Sequence, residues 1–296
     1  MAIFQGDFGK GVITSSGLNE PGVNPWILYG PVASTTSVMA SSTGYGSAAI
    51  PQMQFRLGTV SQGDYETEWV FCRLVVASTT DYLPGQAYSV DENFNLSLIT
   101  TTVAASNKNS NVVVGYTFAP ATAAGTYYMW VARAGNLAVQ AAGSSTAFGQ
   151  AETTATAGQL KFLASASHTS TSYTIAPLIG IGASSSITFK ADSVNGSSVL
   201  QNITSQITGP FAGTGGLTDL IPGMVFTGTG APSNSIISAI DQRGPGGSYR
   251  AFIGTNTTGA QFTAQTATAT NLQTTFTVTS HVAAKVMWPT IAGAAT

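Results

Sequence analysis

Trp69-Val-Phe-Cys-Arg-Leu-Val-Val76 puts Val70, Cys72, Leu74 and Val76 on alternate positions, the two-residue period of a β-strand with one buried face. The same rhythm recurs along the chain. Segments 54–59, 68–77, 96–101, 112–118 and 127–134 are rich in Thr, Val, Ile, Tyr and Phe, side chains that pack well on a pleated surface. Gly, Pro and Asn punctuate the chain every ~8–12 residues, the spacing of short strands joined by turns. Helix signals are nearly absent. Tyr82-Leu-Pro-Gly85 and Ala134-Gly-Asn136 read as turns, with Gly or Asn available where φ must be positive. The expected fold is all-β: a sandwich or barrel-like β domain, a second β-rich domain and an extended N-terminal arm.

The arm, residues 1–32, is broken by Gly9, Gly11, Gly17, Pro21, Gly22, Pro25, Gly30 and Pro31. Its apolar residues Phe4, Phe8, Trp26, Ile27, Leu28 and Tyr29 are awkward in a solvated tail, so the arm is expected to lie on its own domain or on a neighbour. The core β domain is assigned to 33–182 together with 281–296. Near Ala183 the texture changes to Ser184-Ser-Ser186, and residues 183–280 are expected to form a second β domain, an insertion if the chain end returns to the first domain. Within it, 223–241 reads as strand, tight turn, strand. The apolar close Ala283-Ala-Lys-Val-Met-Trp-Pro289 is expected to return to the first domain as a final strand.

Charge is scarce in this chain. Hydrophobic residues make up 43% of its 296 positions, but charged residues only 7%, with 10 basic and 12 acidic side chains and a net charge of −2. A soluble domain usually carries about a quarter. Disorder does not explain the deficit, because 14 Phe, 10 Tyr and 4 Trp call for a packed interior. There is no basic field to attract nucleic acid or an anionic membrane. Weak self-repulsion suits a subunit covered by its neighbours in an assembly, so a homo-oligomer is expected. The start, Met1-Ala-Ile-Phe-Gln-Gly-Asp7, lacks the pattern of a signal peptide, and no apolar run approaches a bilayer span. The chain is expected to be made in, and soluble in, a cytoplasm.

The few chemically active side chains do not fall into motifs. Cys72 is read as a buried, inert thiol. His168 and His281 are read as surface or loop residues, with no G-x-S-x-G elbow to support a triad. No metal-ligand spacing occurs, and neither a metal nor a cofactor is expected. Glu66 and Glu68 would project to one side of a strand beside Tyr65 and Trp69, half of a glycosidase-like cleft in which the aromatics stack on a sugar. The alternative is two solvated carboxylates after the turn at Gln62-Gly-Asp64. Gly213-Thr-Gly-Gly216 and Gly228-Thr-Gly230 match no phosphate-binding loop and read as turns. Arg243-Gly-Pro-Gly-Gly-Ser-Tyr-Arg250, followed by Phe252, is a local basic and aromatic pairing that reads as a hairpin loop. No residue is assigned a catalytic, cofactor-binding or metal-binding role.

Leu57-Gly-Thr59 leading to Trp69-Val-Phe71, the turn Leu83-Pro-Gly85, Tyr127-Tyr-Met-Trp-Val-Ala-Arg-Ala-Gly-Asn136, Gly149 and Gly158-Gln-Leu160 together resemble the head decoration (cement) proteins of tailed bacteriophages. Residues 223–241 are similar to hairpin modules of phage virion proteins. The resemblance covers about half the chain. It implies a non-enzymatic protein on the outside of an icosahedral capsid, often a trimer, that bridges major capsid protein subunits. Residues 183–280 exceed a minimal decoration domain and could form an outward spike. The rival expectations are a phage tail or receptor-binding fibre component and, from another class, a virion-associated carbohydrate-active enzyme built on Glu66 and Glu68.

Overall fold

In the computed structural model, Trp69–Val76 belongs to a nine-residue strand, Glu68–Val76, whose alternate side chains face two different cores. The structure describes residues 25, 28–30, 38–43, 49–51, 55–63, 67–117, 119–143, 145–164, 167, 171–181, 187–193, 199–203, 220–221, 223–231, 235–241, 249–254, 274–278 and 280–294. In chain order the strands begin with β1 (Leu28–Tyr29), β2 (Val38–Thr43), β3 (Ala49–Pro51), β4 (Val60–Gln62), β5 (Glu68–Val76), β6 (Thr80–Tyr82), β7 (Gln86–Val90) and β8 (Asn95–Leu98). Helix α1 (Thr101–Ser106) precedes β9 (Asn111–Gly115), β10 (Ala119–Thr122), β11 (Gly125–Gln140), β12 (Gln150–Thr153), β13 (Leu160–Leu163) and β14 (Tyr173–Gly180). Then come β15 (Ile187–Ser193), β16 (Val199–Ile203), β17 (Val225–Gly228), β18 (Ser235–Asp241), β19 (Tyr249–Gly254), β20 (Thr274–Val278) and β21 (His281–Ala294).

The fold is all-β, and β11 organises its first part. The first half of β11 pairs antiparallel with β5, from Gly125↔Val76 to Ala132↔Trp69; the second half pairs with β21, from Ala134↔Met287 to Gln140↔His281. β5 is parallel to β8, β8 pairs with β7, β7 with β9, and β9 returns to β11 at Val131↔Gly115. That circuit closes on itself. Val70, Cys72, Leu74 and Val76 face its interior with Tyr88, Val113, Met129 and Val131. Trp69 and Phe71, on the opposite face of β5, join a larger core with Trp130, Leu137, Phe162 and Leu178. Both faces of β5 are therefore apolar, and closure removes its edges.

β15, β16, β19, β18, β17 and β20 close into a second barrel, with Phe189 and Phe226 edge to face inside it at 6.0 Å. β17 and β18 are the strand–turn–strand unit, with Val225 opposite Ile236. The chain enters this barrel from β14 and leaves it into β21, and those two strands pair with each other, Ile179 opposite Lys285. β1 pairs with β11 and β2, and Leu28 is fully buried. Thr117 Oγ1 donates to the Pro25 carbonyl. These residues of the arm lie on its own sheet; residues 1–24, 26, 27, 31 and 32 lie outside the described residues.

Three local expectations are corrected. Residues 55–59 are not strand: Leu57-Gly58 is a turn, with Gly58 at φ 80° and so close to Phe94 that a Cβ would meet its ring at 2.4 Å. The strand expected at 96–101 stops at Leu98 and gives way to α1, because Thr100 acts as an N-cap whose Oγ1 accepts the Val103 N–H at 3.1 Å. Ala134-Gly-Asn136 is not a turn but lies inside β11. A bulge between Ala132 and Ala134, followed by Gly135 at φ 123°, lets the strand change partner from β5 to β21 without stopping.

Candidate functional site

Paired residues of neighbouring strands project to the same side of a sheet. The pairings Gln150↔Ile179, Ile179↔Lys285 and Lys285↔Asn136 thus make one row across β12, β14, β21 and β11. Two residues further along β21, Met287 lies opposite Ala134, which also pairs with Glu68. At this point β21 bulges. Ala176 pairs with Thr290 and Leu178 with Val286, so three β21 residues, Met287, Trp288 and Pro289, stand against one on β14. Pro289 has no N–H for the ladder, and Trp288 takes φ 53°, a left-handed backbone uncommon for a bulky residue. Such conformations cost about 1–3 kcal/mol and persist where surrounding packing holds them.

Packing holds Trp288 through Arg133. The Arg133 guanidinium lies over the indole ring, 4.1 Å from its centroid, while its Nε donates to the Glu68 carboxylate in an ion pair. One face of the ring is covered and its charge partner is fixed; even so, Trp288 is 56% exposed, Met287 46% and Ile179 38%. Three of the six large exposed hydrophobic side chains among the described residues, Ile179, Met287 and Trp288, are on or next to this row.

The residues singled out from the sequence fare differently. Glu68 is held by Arg133, whereas Tyr65 and Glu66 lie outside the described residues. Trp69 is fully buried and donates its Nε1–H to Thr67 Oγ1 at 2.9 Å, so it cannot stack on a sugar. His281 is corrected from a surface residue to a buried one. It starts β21 opposite Gln140, and its Nε2 lies 3.0 Å from the Pro84 carbonyl, which also accepts from Gln140 Nε2. A carbonyl only accepts, so Nε2 carries the proton. Ser280, just before it, is at φ 58°, and the chain turns inward there. His168 and residues 242–248 lie outside the described residues; Arg250 and Phe252 belong to β19, opposite Asp241 and Val199. Gly213 to Gly216 also lie outside, while Thr229-Gly230 is a turn.

Cys72 is buried inside the β5–β11 circuit, and burial, then the Asp91 carboxylate, pushes its thiol up to about 12, against a smaller downward pull from Arg133. It stays protonated at neutral pH, and the thiolate is the reactive form. Desolvation by burial likewise raises the phenols of Tyr88 and Tyr116, each inside a core, well above their ordinary value. Among the described residues no three His, Cys, Asp or Glu side chains gather as a metal site, and no helix is long and apolar enough to cross a membrane. What these residues build is an exposed apolar surface: an indole on left-handed backbone, backed by Arg133 and flanked by Met287 and Ile179, with Arg133 paired to Glu68. The sequence placed Met287 and Trp288 only as part of an apolar final strand; the signal for the bulge was Pro289. No protein-family model, curated protein or solved structure matches the chain.

Proposed function

We propose that the chain is a non-enzymatic structural protein of a phage virion, which decorates and stabilises the outside of a capsid by bridging major capsid protein subunits as a homo-oligomer, with a trimer favoured. The observation that carries this reading is a charge-poor all-β chain, 7% charged, whose sheet surface presents Trp288, Met287 and Ile179 beside an ion pair already closed between Arg133 and Glu68. Many weak apolar contacts repeated by symmetry add up to a stable shell through avidity. Neither a resident cofactor nor direct contact with DNA forms part of this role.

The test is electron microscopy of virions together with heat-induced DNA release. Particles lacking the protein should release DNA at a lower temperature, and purified protein should restore them. A protein found only on the tail, or an add-back without effect, overturns the reading. A tail or receptor-binding role is the second reading, favoured by the barrel of β15 to β20, which is joined to the sheet through β14 and β21 and has the form of an appended module.

A further inference from the structure

We infer that the outer face built by β14, β21 and β11 is covered by a second copy of this chain, with Trp288 and Met287 at the centre of the contact. The inference rests on the structural reading above and names the partner of that surface. The residue types come first. Trp, Met and Arg are enriched at the buried centres of protein contacts, where Lys and Glu are depleted, and Trp and Arg supply most of the residues that dominate affinity. Here Trp288 is 56% exposed and Met287 46%, next to Ile179 at 38% on the paired strand.

Rigidity comes second. The bulge lifts Trp288 out of the β14 ladder, its left-handed backbone fixes the direction of the side chain, and the Arg133 guanidinium backs one face of the ring. A preorganised indole loses little side-chain freedom when it is covered, which is what makes such an anchor effective.

Charge selects the partner. The Arg133 guanidinium is neutralised by Glu68, and Lys285, half-buried in the same row between Ile179 and Asn136, is not a free cation either, so the face has little unpaired charge to draw a strongly acidic or basic partner. It fits an apolar surface with few charges, since covering it with unpaired charges would strip them of water without compensation. This chain is itself such a surface, with 10 basic and 12 acidic residues in 296. Two copies brought together pay little electrostatic repulsion.

Sedimentation velocity of the purified full-length chain over a concentration series tests the inference without any capsid present. The wild type should self-associate. Trp288→Asn, chosen because Asn tolerates the left-handed backbone, should raise the dissociation constant about tenfold or more. Ile179→Lys, on an ordinary stretch of β14, should do the same. Val75→Lys, at a position 59% exposed elsewhere on β5, should leave association unchanged. Circular dichroism and melting temperature establish that each variant is folded, and if Trp288→Asn does not fold, Ile179→Lys decides. A wild type that stays monomeric, or folded face variants that associate like wild type, overturns the inference. A chain that self-associates through this face but never binds heads sinks only the decoration reading; one that self-associates and binds heads, with the folded face variants associating like wild type, sinks only this inference.

Discussion

The circuit around β11 and the barrel of β15 to β20 solve the same problem, the exposed edge of a sheet, by closure, but with different material. β11 and β21 run for 16 and 14 residues, and each serves more than two neighbours. The barrel's strands run for four to seven residues and serve one closed ring. In the first region an aromatic cluster of Tyr29, Phe55, Phe71, Tyr128 and Trp130 packs on the outside of the circuit, with Phe55 5.0 Å from Trp130 and Phe71 stacked on Tyr128. In the barrel Phe189 packs against Phe226 among aliphatic residues such as Leu200, Ile203, Ile237 and Val278. The difference teaches that a strand shared between two cores ties the first region into one unit, whereas the ring of short strands, though its buried residues continue into the larger core, shares no strand with the sheet and is expected to open first.

Truncation of one aromatic in each region tests that lesson with the largest effect. Trp130→Ala and Phe226→Ala should each cost about 3–5 kcal/mol, the usual loss for a buried aromatic cut to Ala. In scanning calorimetry Trp130→Ala should lower the main transition, while Phe226→Ala should split off an earlier, smaller one. A single transition lowered equally by both would mean that barrel and sheet melt as one body.

The join between the regions gives the next largest effect. Gly223, at φ 97°, sits so close to Tyr116 that a Cβ would meet its ring at 2.3 Å and the Ala138 side chain at 3.3 Å. Tyr116 cannot easily give way, because its hydroxyl donates to the Ala138 carbonyl at 2.6 Å. Gly223→Ala combines a strained backbone with overpacking and should cost about 1–3 kcal/mol. Its effect should add to the separation of the two transitions. If the calorimetric trace shifts without broadening, Gly223 serves only its own loop.

What could be seen beforehand follows the same division. The alternation in 69–76 specified β5 as a strand and put Val70, Cys72, Leu74 and Val76 on one face; that Trp69 and Phe71 on the other face are buried too was not legible, because the second core is built from distant strands. The hairpin of β17 and β18 was legible from its glycines. Features that depend on a distant partner were not. Gly135 looks like a turn residue unless the change of partner from β5 to β21 is known. Thr100 to Thr102 look like strand, since β-branched residues favour it, until Thr100 is found capping a helix. His281 looks exposed in its Ser/Thr-rich setting, and only the fold brings the Pro84 carbonyl to it. At the candidate surface, Glu68 was visible as a charge, but its partner Arg133 lies 65 positions away, and Trp288 was hidden in an apolar run.

The smallest effect concerns two indoles of the larger core. Trp69 and Trp130 are both fully buried there, but the Trp69 Nε1–H donates to Thr67 Oγ1, whereas the Trp130 Nε1–H is buried without a hydrogen-bond partner. An unsatisfied buried donor costs about 1–3 kcal/mol, and a satisfied one contributes about 0.5–1.5 kcal/mol. Trp→Phe therefore separates the two sites. At Trp130 the change removes a penalty that offsets most of the lost ring contact, so stability should stay within about 1 kcal/mol of wild type. At Trp69 the same change loses ring contact and a hydrogen bond together and should cost about 1 kcal/mol more than at Trp130. Urea midpoints at unchanged slope measure both. Equal losses at the two positions would mean that the Trp130 N–H carries no penalty, as it would if a buried water satisfied it.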